Sequence, residues 1–574
     1  MKPASCAARA IAMFCILLTL AAEPCVADTH LWVGLYPAFG WHYPDNWWPT
    51  EVPVYGDIVG IYGNAPGTNV AIVAGLAAAG PVYLGGFGGQ AYVEIRPGAV
   101  FATSSEYVGT APGIPPSPGY GFFVQTGGTH NVFFELRLGC SSGLADGTGS
   151  YELSGTGALS AAYEHVGYDS HGCFRQDSGT NTVSHDLCVG NQAGSDGTYT
   201  LNGGYLQADA EWIGQGGTGC FAQAGGTNTA TTALILGFDG QGTYEMSGGY
   251  LGVGWKIQVG TFDTGTFTQS GSGQVVTDEL EVGTGLSSVG TYTLSGAGLL
   301  TANRERIGGF GTGTFTQTGG TNTVNSELEV DTGSGQGTYE LSGGTLLAGS
   351  VSVGPGGTFT FNGGTLQVGT FTGDLVNIGG TVAPGGSVGT TTVDGDYTQL
   401  AGGTLAVELG GTAPGSEHDA LQVTGAATLD GTLAISLVGS FEPVAGDAFT
   451  VLTYGSLSGE FAQTQGWQLP NNLALVKEYG PAALILTATH RGDANLDFCV
   501  DGLDYVVWAN NYLTGDTWEK GDFTADGIAD GLDYVVWANN YWAGCPGSPR
   551  LVPEPAALSL LAIGALGLMR RRRK

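Results

Sequence analysis

Charge is scarce in this chain, and positive charge scarcest. Only 12% of the 574 residues are charged, 17 Lys and Arg against 50 Asp and Glu, for a formal net charge of −33. So acidic a surface excludes nucleic acid and anionic membranes as partners. Three of the nine cysteines fall in the first 25 residues. The other six, Cys140, Cys173, Cys188, Cys220, Cys499 and Cys545, are spread too thinly for a disulfide scaffold. Long helix-forming runs are missing as well, because 103 glycines interrupt the chain. At 42% hydrophobic the chain is nevertheless too apolar to be disordered. These absences leave an all-β chain with many tight turns, long enough for two or more domains.

The two ends are built differently from the rest. Lys2 and Arg9, an apolar stretch over 10–22 and the small residues of Cys25-Val26-Ala27 form a secretory signal peptide with cleavage expected after Ala27. At the other end, Val552-Pro553-Glu554-Pro555 precedes an apolar run over 556–569 and four arginines and a lysine. Fourteen apolar residues are short for a membrane span, and the basic residues would hold the tail on the cytoplasmic side. The pattern resembles the PEP-CTERM sorting signal of bacterial surface proteins, with Pro553, Glu554 and Pro555 as its motif. The resemblance implies a sorting protease as partner at this tail and membrane contact only through the C-terminal segment before processing. It also implies a secreted protein of the bacterial envelope, outer surface or extracellular matrix. Without both tails, which net +1 and +5, the formal charge becomes −39. Ca²⁺ and neutral or hydroxyl-rich polymers are then the partners that charge permits.

Between the tails the chain repeats. GTYTLNGGYLQA (197–208) recurs as GTYEMSGGYLGV (242–253) and GTYELSGGTLLA (337–348), interleaved with motifs such as TFTQTGGTNTV (314–324). The aromatic anchors are Phe123, Tyr151, Phe174, Tyr199, Phe221, Tyr244, Phe267, Tyr292, Phe315, Tyr339 and Phe359. A period of about 23 residues with glycine at each corner predicts a right-handed parallel β-helix of about eleven turns or more, rather than a β-propeller. Each turn is expected to point the aromatic and a Leu two residues on inward, with Thr or Glu outward. Phe/Tyr, Thr and Asn ladders should follow. From Gly379 the repeat changes, and 379–489 resembles the C-terminal passenger region of bacterial autotransporters. The repeats before it resemble autotransporter-associated β-strand repeats, whose family implies adhesive or structural β-helices. No translocator barrel is present in the sequence, so self-translocation is not implied.

Catalysis needs a clustered base or a carboxylate pair. The repeat cations Arg137, Arg175, Lys256, Arg304 and Arg306 show no recurring register with carboxylates, and Glu279, Glu281, Glu327 and Glu329 read as a solvated face. No catalytic residue is therefore assigned. His165, His171, Cys173, His185 and Cys188 match no compact zinc spacing. Cys173 and Cys220, two turns apart, are too distant for a disulfide. Glu417-His418-Asp419 reads as a polar turn.

The sharpest feature is DGLDYVVWANNY, written at 501–512 and again at 530–541. Oxygen-bearing side chains before and within it fall at loop positions 1, 3, 5, 9 and 12: Asp493, Asn495, Asp497, Asp501 and Asp504, then Asp522, Thr524, Asp526, Asp530 and Asp533. With the carbonyls of Cys499 and Ile528 at position 7, this is the spacing of a Ca²⁺ loop, and two ions are expected. One amphipathic helix follows each loop, expected to bury Leu503, Val507, Trp508 and their copies Leu532, Val536 and Trp537. Such pairs resemble the type I dockerin domain. Phe498 departs from the glycine expected at position 6, and Thr524 is a weak ligand. The resemblance implies docking onto a cohesin-like domain through Gly502, Leu503, Gly531 and Leu532. No ligand comes from the rod, so the module is expected to unfold and refold with Ca²⁺ on its own.

The expected organisation is a signal peptide (1–27), a β cap with entry repeats (28–119), solenoid repeats (120–378), the passenger-like β region (379–489), the dockerin-like domain (490–544), a linker (545–552) and the sorting signal (553–574). Two function classes fit. One is a surface scaffold or adhesin with a docking module. The alternative is a polysaccharide-binding or polysaccharide-degrading component recruited through that module.

Overall fold

The computed structural model describes residues 29–546 apart from 33–46, 49–50, 55, 62–67, 74, 86–88, 111–118, 142–145 and 332. The signal peptide with Ala27, and the sorting segment with Pro553, Glu554 and Pro555, lie outside the described residues.

One turn shows how the repeat folds. In Thr264–Gln269 burial alternates residue by residue, with Gly265, Phe267 and Gln269 inward and the threonines outward. The strand Gln274–Val282 follows, pointing Val275 and Thr277 inward. Its pairing with the previous turn then shifts register, which bends the chain before Leu280 and Val282 point inward again. Gly283 closes the corner at φ 65°. A side chain there would overlap the carbonyl of Thr312 on the next turn, so the recurring Val-Gly pair is a steric demand of close stacking.

Equivalent strands of successive turns pair in parallel, building an all-β parallel solenoid of about 14 turns. Described antiparallel strand pairs occur at the entry, where Leu31 pairs with Trp48, and at the end. The eleven anchors from Phe123 to Phe359 form an unbroken internal stack, centroids 4.6–5.5 Å apart and planes within 18° of parallel. Thr266, Thr291, Thr314, Thr338 and Thr358 stack outside in one column.

Two expectations for the interior are corrected. Asparagines form no ladder, because Asn181, Asn228 and Asn322 alternate with Leu206, Leu251 and Leu300. And two residues after each Phe of the regular repeat comes a buried glutamine rather than Leu: Gln125, Gln176, Gln223, Gln269 and Gln317. The reason is a polar chain threaded through the apolar core. Asn181 Nδ2 donates to Glu164 Oε2 of the turn before (2.9 Å) and to Tyr199 Oη of the turn after (3.3 Å). Tyr199 donates to Gln176 Oε1 (2.7 Å), and Gln176 Nε2 donates to the Tyr205 carbonyl (3.0 Å). The same chain recurs as Glu211–Asn228–Tyr244–Gln223 and Glu305–Asn322–Tyr339–Gln317. Nearer the entry, His130 replaces Asn and bridges Glu106 and Tyr151 at 2.8 Å each. Where Val275 takes the Asn column, Ile257 takes the Glu column. The acid and its Asn or His partner are present together or absent together, as buried polar groups require.

The solenoid closes with the hairpin Leu473–Tyr479 and Ala483–His490, whose second strand also pairs antiparallel with Ala448–Thr453. The reversal ends the parallel stack by pairing what would otherwise be an open edge. His418, expected in a polar turn, is buried there with Nδ1 3.1 Å from Gly411 O, and Asp419 accepts from Gly389 N and Glu408 N (2.8 Å each).

Candidate functional site

The cations of the rod's repeats are paired with acids. Parallel stacking sets Lys256, Glu279, Arg304 and Glu327 in one outward column and Gln258, Glu281, Arg306 and Glu329 in the next. Lys256 Nζ lies 3.1 Å from Glu279 and 3.0 Å from Glu281, and Arg306 Nε lies 2.8 Å from Glu329. This register is not visible along the sequence because turns differ in length, so residue counting does not align positions that strand pairing does. These acids are partners to cations, not a freely solvated face.

The His and Cys residues do not converge. His165 and Cys188 occupy one column in successive turns, His171 and Cys173 lie on a different strand, and His185 stacks on Tyr163 at 4.8 Å. Burial holds His165 down to about 4 and pushes the Cys188 thiol up to about 12, so both stay uncharged. Among the described residues these His and Cys side chains form no group of three that could hold a metal ion.

Beyond the closing hairpin come the two repeated units. Their helices are α1 (Gly502–Asn510) and α2 (Gly531–Asn540). Asp501 and Asp530 are the N-caps, each accepting from the backbone N–H two residues on (2.7 Å). Asp504 and Asp533 complete capping boxes by accepting from the cap N–H groups (2.7 Å). The other oxygen of each reaches back into its loop, Asp504 Oδ1 to Ala494 N and Asp533 Oδ1 to Thr524 N, both 2.8 Å. Position 12 thus ties each loop to the start of its helix.

Both loops take the same path. Leu496 and Phe498 in the first, Ala525 and Gly527 in the second, are left-handed at φ 57°, 66°, 57° and 89°. Phe498 therefore adopts the conformation glycine adopts in the second loop, at a strain cost of about 1 kcal/mol or more. In the first loop Asn495 and Asp497 bond each other (3.0 Å), and Asp497 Oδ1 accepts from Cys499 N (3.0 Å). In the second, Asp526 Oδ1 accepts from Ile528 N (3.2 Å). Asp493 is fully buried, and its Oδ1 has no hydrogen-bond partner. An orphaned buried carboxylate oxygen at the first position of such a loop fits a coordinated cation.

The units are related by a pseudo-twofold. Trp508 Nε1 donates to the Asp530 carbonyl and Trp537 Nε1 to the Asp501 carbonyl, both at 2.8 Å. Tyr505 packs on Trp537 (5.2 Å) and Tyr534 on Trp508 (5.3 Å). A side chain at Gly492 would press on Trp537, and one at Gly521 on Trp508. Each copy is the other's wall.

The expected core is corrected in two respects. Leu503 and Leu532 are each 60% exposed, and the contacts across the helix pair come instead from Tyr505 and Tyr534 against the opposite tryptophans. Helical spacing marks an apolar stripe but not which flank of it is covered. And the module is not self-contained. Ala494, Trp518 and Phe523 form one buried cluster with Ala474 and Val476 of the closing hairpin, flanked by Trp467. Cys499 and Cys545 are joined by a disulfide. Neither Trp518 nor the disulfide was signalled in the sequence, where a lone Trp between two acidic loops has no period to mark it.

The described residues thus form an acidic β-solenoid closed by a hairpin and followed by a small twofold module. Residues 551–574 match the PEP-CTERM protein-sorting motif. That match marks an exported protein sorted to the cell envelope or surface, recognised at its C-terminal tail by a sorting protease. No curated protein matches the chain. Among the described residues no helix is long and apolar enough to cross a membrane; the apolar run 556–569 lies outside them.

Proposed function

We propose that the protein is a non-enzymatic surface scaffold whose rod carries a dockerin-like module, loaded with two Ca²⁺ ions and docking onto a cohesin-like partner. Asp493, Asn495, Asp497, Asp501 and Asp504 with the Cys499 carbonyl would hold the first ion. Asp522, Thr524, Asp526, Asp530 and Asp533 with the Ile528 carbonyl would hold the second.

One observation carries the reading. Internal packing explains why the Trp, Tyr and Asp residues that bond or stack within and across the two copies are identical, but it does not explain the exposed Gly, Leu and Val residues. Gly502, Leu503 and Val506 are exposed, as are Gly531, Leu532 and Val535, and each set equals the other. Exposed leucines and valines repeated about a twofold are surface that a partner would read, in either of two orientations. The test is binding of the purified protein to a panel of immobilised cohesin domains in Ca²⁺ and in chelator. Binding should need Ca²⁺, survive Leu503→Asp or Leu532→Asp alone, and be lost in the double variant. Loss with one substitution would rule out two-way docking, and no binding to any cohesin would leave the module without this partner class.

A further inference from the structure

We propose that a cation in the first loop fastens the rod's closing hairpin, whereas a cation in the second loop does not. The inference rests on the reading of the loops as cation sites and adds a regulatory link specific to this chain.

The two loops are alike in backbone but not in wiring. Asp493 Oδ2 accepts from Thr489 Oγ1, next to last in the hairpin strand Ala483–His490, and from Phe498 N (2.9 Å). The Asp493 carbonyl accepts from Trp518 Nε1. Trp518 in turn packs edge-on against Trp467 (6.1 Å) and is buried with Ala474 and Val476 on the other hairpin strand. Both strands of the hairpin are thereby attached to one residue, and that residue keeps a buried oxygen without a partner. In the second loop, Asp522 spends both oxygens inside the loop, Oδ1 accepting from Asp526 N (3.2 Å) and Oδ2 from Gly527 N (2.8 Å).

The consequence follows from charge burial. A carboxylate at Asp493 is tolerated in its closed position when a cation fills the free oxygen. Without the cation the loop opens to hydrate it, and opening withdraws the acceptor from Thr489 and the carbonyl from Trp518. Calcium at the first loop then sets how firmly the rod is capped and how rigidly the twofold face is held to the rod's end.

Hydrogen exchange of the full chain in calcium chloride and in EGTA tests this, with calorimetry to count ions. Asp497→Ala and Asp526→Ala remove the exposed position-5 ligand from the first and second loops respectively. Residues 473–490 should exchange about tenfold more slowly with Ca²⁺ in the unmodified protein and in Asp526→Ala. The slowing should vanish in Asp497→Ala, while residues 242–282 of the mid-rod stay unchanged throughout. Two ions bound with no slowing of 473–490, or equal loss in both variants, would overturn the link and leave the cation sites standing. No heat of Ca²⁺ binding would overturn the sites and the link together.

Discussion

Inside the rod, Glu164, Glu211 and Glu305 face asparagines, and these three acids govern how the rod should respond to pH. Burial pushes Glu164 up to about 8 and Glu211 and Glu305 up to about 7, opposed only by the asparagine N–H. A carboxyl raised above its unfolded value binds more protons when folded. Its stabilisation is therefore complete below about pH 4.5 and is lost as pH rises through the folded values. We expect the melting temperature to fall steadily between about pH 5 and pH 8, each group contributing up to about 1.4 kcal/mol per pH unit. Glu211→Gln, which keeps shape and hydrogen bonding but cannot ionise, should flatten that slope by about a third. An unchanged slope would show that the interior acids are ionised without cost. The stacked rings make a second residue-scale prediction. Tyr244→Asp places a charge between Phe221 and Phe267 and should cost several kcal/mol in chemical denaturation, while outward Thr268→Asp should change little.

The loop–helix pair is the element on which the proposed function turns, and it is stapled at its ends. The Cys499–Cys545 disulfide encloses a segment of sequence separation 46 that contains both helices and the whole second loop. Loop-closure entropy makes such a link worth about 4 kcal/mol to the module. Cys499→Ser with Cys545→Ser should raise the exchange rate of 502–540 by a large factor and leave the mid-rod untouched. Equal loosening along the whole chain would show that module and rod unfold as one unit. The two helices were readable from the apolar spacing in residues 501–541, which is local; that Asp501, Asp504, Asp530 and Asp533 cap them was not read there, because the same spacing also reads as a cation loop. The reciprocal Trp–carbonyl bonds and the contact of Trp518 with the hairpin were not readable either, because they join residues that share no period.

At the scale of the molecule, the rod is acidic, capped at its closing end and sorted to the envelope or surface through its tail. Intact mass of protein recovered from cells or medium should lack residues 1–27 and the basic tail 570–574. Recovery with Arg570–Lys574 in place would count against sorting by removal of the tail. A rod whose turns supply each other's core should also melt from its weakest turns outward, so the capped end and the aromatic stack from Phe123 to Phe359 should persist longest.

The sequence by itself determined the repeat, its parallel stacking and the inward aromatics, because a 23-residue period with glycine corners admits few other ways to bury one ring per turn. It also determined the paired loop–helix units, whose spacing of oxygen-bearing side chains is local. Tertiary structure alone decided what the polar residues do. Whether Glu281 or Glu305 lies outside against Lys256 or inside against Asn322 depends on register between turns of unequal length, and a count of residues does not carry register. It likewise decided that the module shares its buried cluster with the rod, since a buried surface belongs to whichever elements close over it and neither sequence segment names its partner.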